Sequence, residues 1–159
     1  MHFPHRRGPR DVPADYKTRI VVLRPINPSD FSGTVFVEWF KVSGNVDRAA
    51  IWITGHTGIT REGHAWVGVS AQLGGIEGED GATTPFSLKS IDPDRYGSLV
   101  HPGDSFSYDI FSQVSEAIRN PQTINVLEGL PVKQVVATVI SPSTRPALQC
   151  FENVFAVRR

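Results

Sequence analysis

Val135-Val136-Ala137-Thr138-Val139-Ile140 runs directly into Ser141-Pro142-Ser143-Thr144, and Arg145-Pro146-Ala147-Leu148-Gln149-Cys150-Phe151 follows. The first six residues are apolar or β-branched without a break. That pattern fits a strand buried on both faces, as in a parallel sheet. Pro142 suits the first position of a helix, where its missing N–H is not needed. The order is therefore strand, serine, helix. The reading of the fold turns on whether the rest of the chain supplies a parallel sheet around this strand.

Working outward, His64–Ala71 is a second near-continuous apolar run, and Thr34–Phe40 is a third, rich in Val, Phe and Trp. Thr18–Arg24 is β-branched and ends at Pro25. Asn27-Pro28-Ser29-Asp30 and Ser32-Gly33 supply turn chemistry between the first two runs, so these could pair as an antiparallel hairpin. Asp104–Arg119 carries Phe106, Ile110, Phe111, Val114 and Ile118 at helical spacing, with Asp104 as N-cap and Asn120-Pro121 as the stop. Asp47–Thr60 has a weak helical pattern, because Gly55 and Gly58 interrupt it and its β-branched residues lower helix propensity. The order β-β-(α)-β-α-β-α predicts a doubly wound α/β fold, mostly parallel, with an N-terminal antiparallel hairpin. The stretch from Gly74 to Pro102 reads as a long loop, a length that usually marks function or packing. Residues 1–15 read as an extended arm and 16–159 as one domain.

Composition narrows the function classes. Sixteen basic and sixteen acidic side chains cancel, so no net field favours nucleic acid or anionic lipid. Cys150 is the only cysteine, which excludes intramolecular disulfides and cysteine-rich zinc sites. Its expected role is a buried, inert thiol. The basic N-terminus lacks the apolar run of a signal peptide, and no stretch approaches the ~20 apolar residues of a membrane span. The expectation is a soluble, cytoplasmic protein.

Several strings go beyond generic α/β. They are Gly33-Thr34-Val35-Phe36-Val37-Glu38-Trp39 with Val42-Ser43-Gly44, and His64-Ala65-Trp66-Val67-Gly68-Val69-Ser70-Ala71-Gln72. The longest is Asp92-Pro93-Asp94-Arg95-Tyr96-Gly97-Ser98-Leu99, then His101-Pro102-Gly103-Asp104, then Phe106-Ser107-Tyr108-Asp109-Ile110-Phe111-Ser112-Gln113. Over about residues 16 to 140 the chain resembles the N-terminal part of the alpha/beta hydrolase domain family. The resemblance implies a partial α/β-hydrolase fold, cut after the helix of a nucleophile elbow, the turn that presents a catalytic serine above the sheet. It implies a serine-type hydrolase of esters or related acyl compounds, with a small ester-like substrate and no cofactor or metal. Ser141 would be the nucleophile, and the backbone amides of Phe40 and Lys41 would serve the oxyanion hole.

The chain departs from the family's pattern at these positions. The family elbow reads roughly Gly-Glu-Ser-Gln-Ser-Ala, against Val139-Ile140-Ser141-Pro142-Ser143-Thr144 here. Val139 puts a β-branched side chain where a glycine makes room in a tight turn. Pro142 has no N–H, although the residue after the nucleophile normally donates one to the oxyanion. Losing such a donor typically costs about 3–4 kcal/mol of transition-state stabilisation. Lys41 stands where the family's asparagine is expected. After Ser141 the triad acid and histidine should follow in that order, and the chain shows Glu152 and no histidine. Without a base the serine hydroxyl is a poor nucleophile. The resemblance fades past Ile140, as it would after a frameshift or premature stop. The expectation is a truncated or diverged hydrolase, inactive as an isolated chain. The alternative is a non-catalytic remnant or binding module that keeps the sheet.

Other candidates carry plainer readings. Ser143 is an alternative nucleophile in the wrong register from the strand. His56, His64 and His101 are the upstream histidines that could act as base, with turn, strand-start and helix-entry roles as their ordinary explanations. Glu77, Glu79 and Asp80 lack the spacing of a calcium loop and read as solvated charges. Gly74-Gly75 lacks a dinucleotide fingerprint, and Trp39, Trp52 and Trp66 read as core aromatics. A sheet cut after its elbow helix leaves an open strand edge, which invites self-association. The isolated chain is expected to self-associate in size-exclusion chromatography with light scattering. A monomer with a sharp cooperative melt would contradict this.

Overall fold

The centre of the molecule is a strand whose alternate residues face two different helices. The computed structural model describes residues 13–78, 86–122 and 125–140. In chain order its elements are β1 (Ile20–Leu23), β2 (Thr34–Trp39), β3 (Lys41–Ser43), β4 (Val46–Arg48), α1 (Ala50–Arg61) and β5 (Ala65–Val69). There follow α2 (Leu73–Ile76), α3 (Leu88–Ile91), α4 (Pro93–Tyr96), α5 (Ser107–Arg119) and β6 (Gln134–Val139). Four strands form one sheet in the order β1-β5-β2-β6, and β3 and β4 form a separate hairpin. β2 runs parallel to both β5 and β6, while β1 runs antiparallel to β5.

The mostly parallel sheet with an antiparallel N-terminal strand is therefore present. The partner of that strand differs from the expected one: β1 pairs with β5, not with β2. A β-branched run specifies a strand but not its neighbour. Here β5 is buried along its whole length and needs a strand on each side to satisfy its backbone. The antiparallel hairpin of this region is β3–β4 instead. Gly44 and Asn45 turn it at φ 60° and 62°, the positive pair that a type I′ turn needs.

On one face of β2, Val35, Val37 and Trp39 join Ala65, Val67 and Val69 of β5 under Phe111 and Ile118 of α5. On the other face, Phe40 and Trp66 pack with Ile51, Trp52 and Ile59 of α1. Gly68 is required on that second face. A Cβ there would lie 2.1 Å from the Phe40 ring. α5 buries Ile110, Phe111 and Ile118 of the stripe that the periodicity predicts, together with Ser107 and Ser115, while Phe106 and Val114 are half-buried. Its entry differs from the expected cap. Asp104 sits in a short 3₁₀ turn ahead of the helix, and its carboxylate accepts from the Leu73 N–H at 2.8 Å and the Ser107 hydroxyl at 3.1 Å. Between Gly74 and Pro102 the described residues form the short helices α2, α3 and α4.

α1 forms despite its two glycines. Its own N-cap, Ala49, offers no side-chain acceptor. Glu38 of β2 supplies one from the sheet: its carboxylate accepts from the N–H groups of Ile51 at 2.8 Å and Trp52 at 3.0 Å. It also accepts from the Trp66 indole N–H at 2.9 Å and is only 1% exposed. Two of the orphan donors of the helix's first turn are thus met by a negative charge at the positive end of its dipole. Glu38→Leu would strand one buried and two partly buried donors, each costing about 1–3 kcal/mol when fully desolvated. The variant should lose about 3–5 kcal/mol in urea unfolding, and Glu38→Gln, which keeps an acceptor, should lose less. Equal losses would show that the carboxylate does not act as the cap.

Candidate active site

The three parallel strands end in one row. Trp39 is the register partner of Val69 on one side and of Val139 on the other. From β2 the chain passes through α1, on one face, to β5. From β5 it passes through α5, on the opposite face, back across β2 to β6. The strand order reverses between β2 and β6. In open α/β sheets that reversal opens a crevice outside the carboxyl ends of the strands, where ligands bind. Phe40 and Lys41 follow β2 at this edge, Ser70-Ala71-Gln72 follow β5, and Ile140 follows β6.

A polar network fixes the edge. Gln72 Oε1 accepts from the Trp39 indole N–H at 3.2 Å and from the Val42 N–H at 3.4 Å, tying β2 and β3 to the segment after β5. His101 is buried, with Nε2 donating to the Ala71 carbonyl at 3.0 Å and Nδ1 accepting from the Gly103 N–H at 3.2 Å. Arg19, just ahead of β1, donates through Nη2 to Asp47 Oδ2 at 2.9 Å and through Nε to Ser70 Oγ at 3.1 Å. The Ser70 hydroxyl in turn donates to Asp47 Oδ2. The Arg19 guanidinium also lies 5.3 Å from the Phe40 ring centroid and 5.8 Å from that of Tyr96. Asp47 Oδ1 is buried with no hydrogen-bond partner among the described residues. It presses against Gly75, where a Cβ would come within 2.1 Å of it.

The residues singled out in the sequence fall as follows. Ser141, Ser143, Pro142, Cys150 and Glu152 lie outside the described residues, as do Glu79 and Asp80. The N–H of Phe40 donates to the Val69 carbonyl at 3.1 Å, so this amide is engaged within the sheet. Lys41 opens β3 opposite Arg48 and is half-buried. His101 spends both ring nitrogens on backbone. His64 lies at the amino end of β5, away from this edge, with Nδ1 2.6 Å from Ser32 Oγ. His56 sits on exposed α1 surface against Trp52. Glu77 pairs with Lys89 at 2.7 Å. No group of three or more His, Cys, Asp or Glu that could hold a metal occurs among the described residues. No helix among them is long and apolar enough to cross a membrane.

Arg19, Asp47, Ser70, Gln72 and Asp104 are the polar residues of the edge that motif reading misses. Ser70 and Gln72 carried one signal, being polar residues placed directly after a fully apolar strand. Arg19 and Asp47 carried none, because their pairing spans 28 residues.

Burial pushes the Asp47 carboxyl above its ordinary range, against the Ser70 hydrogen bond and the Arg19 charge. The folded state therefore holds this proton more tightly than the unfolded chain does. The group's contribution is fully present below the ordinary carboxylate pKa of about 4 and falls as pH rises above it. Asp47→Asn removes that dependence. The stability advantage of wild type over Asp47→Asn in urea should shrink as pH rises from about 4 to about 7. An advantage that grows over this range would mean that the Arg19 pairing outweighs burial.

The alpha/beta hydrolase domain family matches residues 5–155. The match continues past Ile140, so the expected fading of the likeness after that residue is not found. No curated protein and no solved structure matches the chain. The crossovers over both faces, the row of strand ends and the family match agree, and the chain belongs to the alpha/beta hydrolase domain family.

Proposed function

We propose that the chain is a diverged acyl hydrolase of the serine type, with Ser141 at the nucleophile position and an ester-like small molecule as substrate class. The observation that carries this reading is the register of β6. Val139 pairs with Trp39 at the switch point, and Ile140 is the next residue. Ser141 is therefore two residues past the end of the strand after which this fold presents its nucleophile. Lys41 is the remaining candidate for an oxyanion-hole amide, because the Phe40 N–H is engaged with Val69.

The same site argues for weak chemistry. Pro142 has no N–H to give an oxyanion, and His101 is committed to Ala71 and Gly103. Neither His56 nor His64 stands at the carboxyl edge. The proposal is therefore a hydrolase by descent that does not turn over esters as an isolated chain. The second reading is a binding module that keeps the sheet without the chemistry. The engaged Phe40 amide favours it, since it removes an oxyanion donor without disturbing the sheet. Self-association through β6 belongs to the same proposal, because β6 has one hydrogen-bonded strand neighbour among the described residues.

A fluorophosphonate probe tests the proposal, with labelled peptides mapped by mass spectrometry. Labelling of the wild type should not exceed that of Ser141→Ala. Labelling at Ser141 that disappears in Ser141→Ala would overturn the inactivity. Labelling at another serine, lost on its own substitution, would overturn Ser141 as the nucleophile position.

A further inference from the structure

A second feature lies at the opposite end of the sheet, where the parallel strands begin. A cavity of about 550 Å³ opens there. This is within the range of roughly 300–1,000 Å³ typical of small-molecule sites. The segment linking β1 to β2 forms one wall, and the ends of α1 and β5 form the other. Leu23, Pro25, Ile26, Trp52 and His64 are among the residues that line it. Its floor is closed tightly at Gly63, where φ is +69° and a Cβ would lie 2.1 Å from the Asp30 carbonyl oxygen. The rim is unusually apolar for free surface, with Ile26 91% and Leu23 40% exposed.

The polar groups around the cavity are mostly committed. Arg24 is neutralised by Glu128. Thr60 donates its hydroxyl to the His56 carbonyl at 2.8 Å. Asp30 accepts from Asn27 Nδ2 at 3.1 Å. His64 is different. Ser32 Oγ accepts from the Thr34 N–H at 3.2 Å, and its own proton is free to go to His64 Nδ1 at 2.6 Å. With the Ser32 hydroxyl as the donor to Nδ1, the imidazole proton stands on Nε2, which has no hydrogen-bond partner among the described residues. The ring is further held against Phe36 at 5.4 Å between centroids. The His64 donor thus stands beside three aliphatic side chains and the Trp52 indole, whose own N–H has no hydrogen-bond partner among the described residues.

We propose that this cavity binds a small, uncharged, planar aromatic molecule carrying one carbonyl acceptor. The ring lies against Trp52 under Leu23, Pro25 and Ile26, and the carbonyl accepts from His64 Nε2. The neutralised Arg24 and the nearby Asp30 carboxylate give an anion no net attraction. The site does not depend on Ser141 or on any acyl chemistry.

Acetophenone is the direct probe, with toluene as the ring without an acceptor and benzoate as the charged analogue. Titrations of the full chain are followed by amide chemical shifts. Acetophenone should shift Gly63, His64 and Thr60 saturably and bind about three- to tenfold tighter than toluene, the worth of one hydrogen bond. Benzoate should bind more weakly than acetophenone. His64→Phe keeps the ring and should erase the preference over toluene. Ile26→Asp, at a fully exposed position, should weaken both ligands and leave the fold intact. Shifts that never saturate, shifts confined to the carboxyl edge, a preference unchanged in His64→Phe, or tighter binding of benzoate would each overturn the proposal.

Discussion

A buried carboxylate holds the two halves of the first crossover together. Glu38 lies in the middle of the sheet and reaches into the start of α1, where it accepts from two helix N–H groups and one indole N–H. Burying a charge without partners would be prohibitive, and three donors make it tolerable. The consequence is directional. A helix capped from β2, across the intervening β3–β4 hairpin, has its start fixed over that strand, so β5 is delivered alongside β2 in parallel. The Trp66 indole closes the circuit by binding the same carboxylate from β5. Once β2 and β5 are parallel neighbours, α5 has only the opposite face to cover, and β6 takes the remaining side of β2.

That arrangement produces the carboxyl edge on which the functional reading rests. Its polar residues work mainly on one another. Gln72 joins β2 to β3, His101 holds the Ala71 carbonyl, and Arg19, Asp47 and Ser70 bind three separate segments. Hydrogen bonds between side chains so far apart in sequence order the edge against fluctuation. They also engage two groups considered for the proposed chemistry, the His101 ring and the Phe40 N–H. The polar atom left over, Asp47 Oδ1, marks how closely α2 is packed against the β3–β4 hairpin.

What could be read in the sequence follows from which interactions are local. Four strands were legible within a residue or two from their apolar and β-branched runs; burial on both faces explains the run Ala65–Val69, while β1 and β6 are only partly buried. α5 was legible from its stripe of Ile110, Phe111 and Ile118. α1 was barely so, since its cap comes from Glu38 and not from a neighbouring Ser, Thr or Asp. The pairing of β1 with β5 was misread as pairing with β2, because nearness in the chain was the sole guide. Asp104 looked like a helix cap and instead binds Leu73, a residue of another element. The candidate site divides in the same way. The strand ends were legible through Phe40, Lys41 and the strand before Ser141, while the pairing of Arg19 with Asp47 belongs to the fold alone.

Native-state hydrogen exchange resolved by residue measures the central coupling most directly. The account predicts that the Ile51 and Trp52 amides, at the start of a glycine-interrupted helix, exchange as slowly as Val37 and Val67 in the sheet core. It also predicts that Glu38→Gln lowers protection at these two amides and at the Trp66 indole together. Rapid exchange of Ile51 and Trp52 in the wild-type chain, with the sheet core still protected, would contradict it.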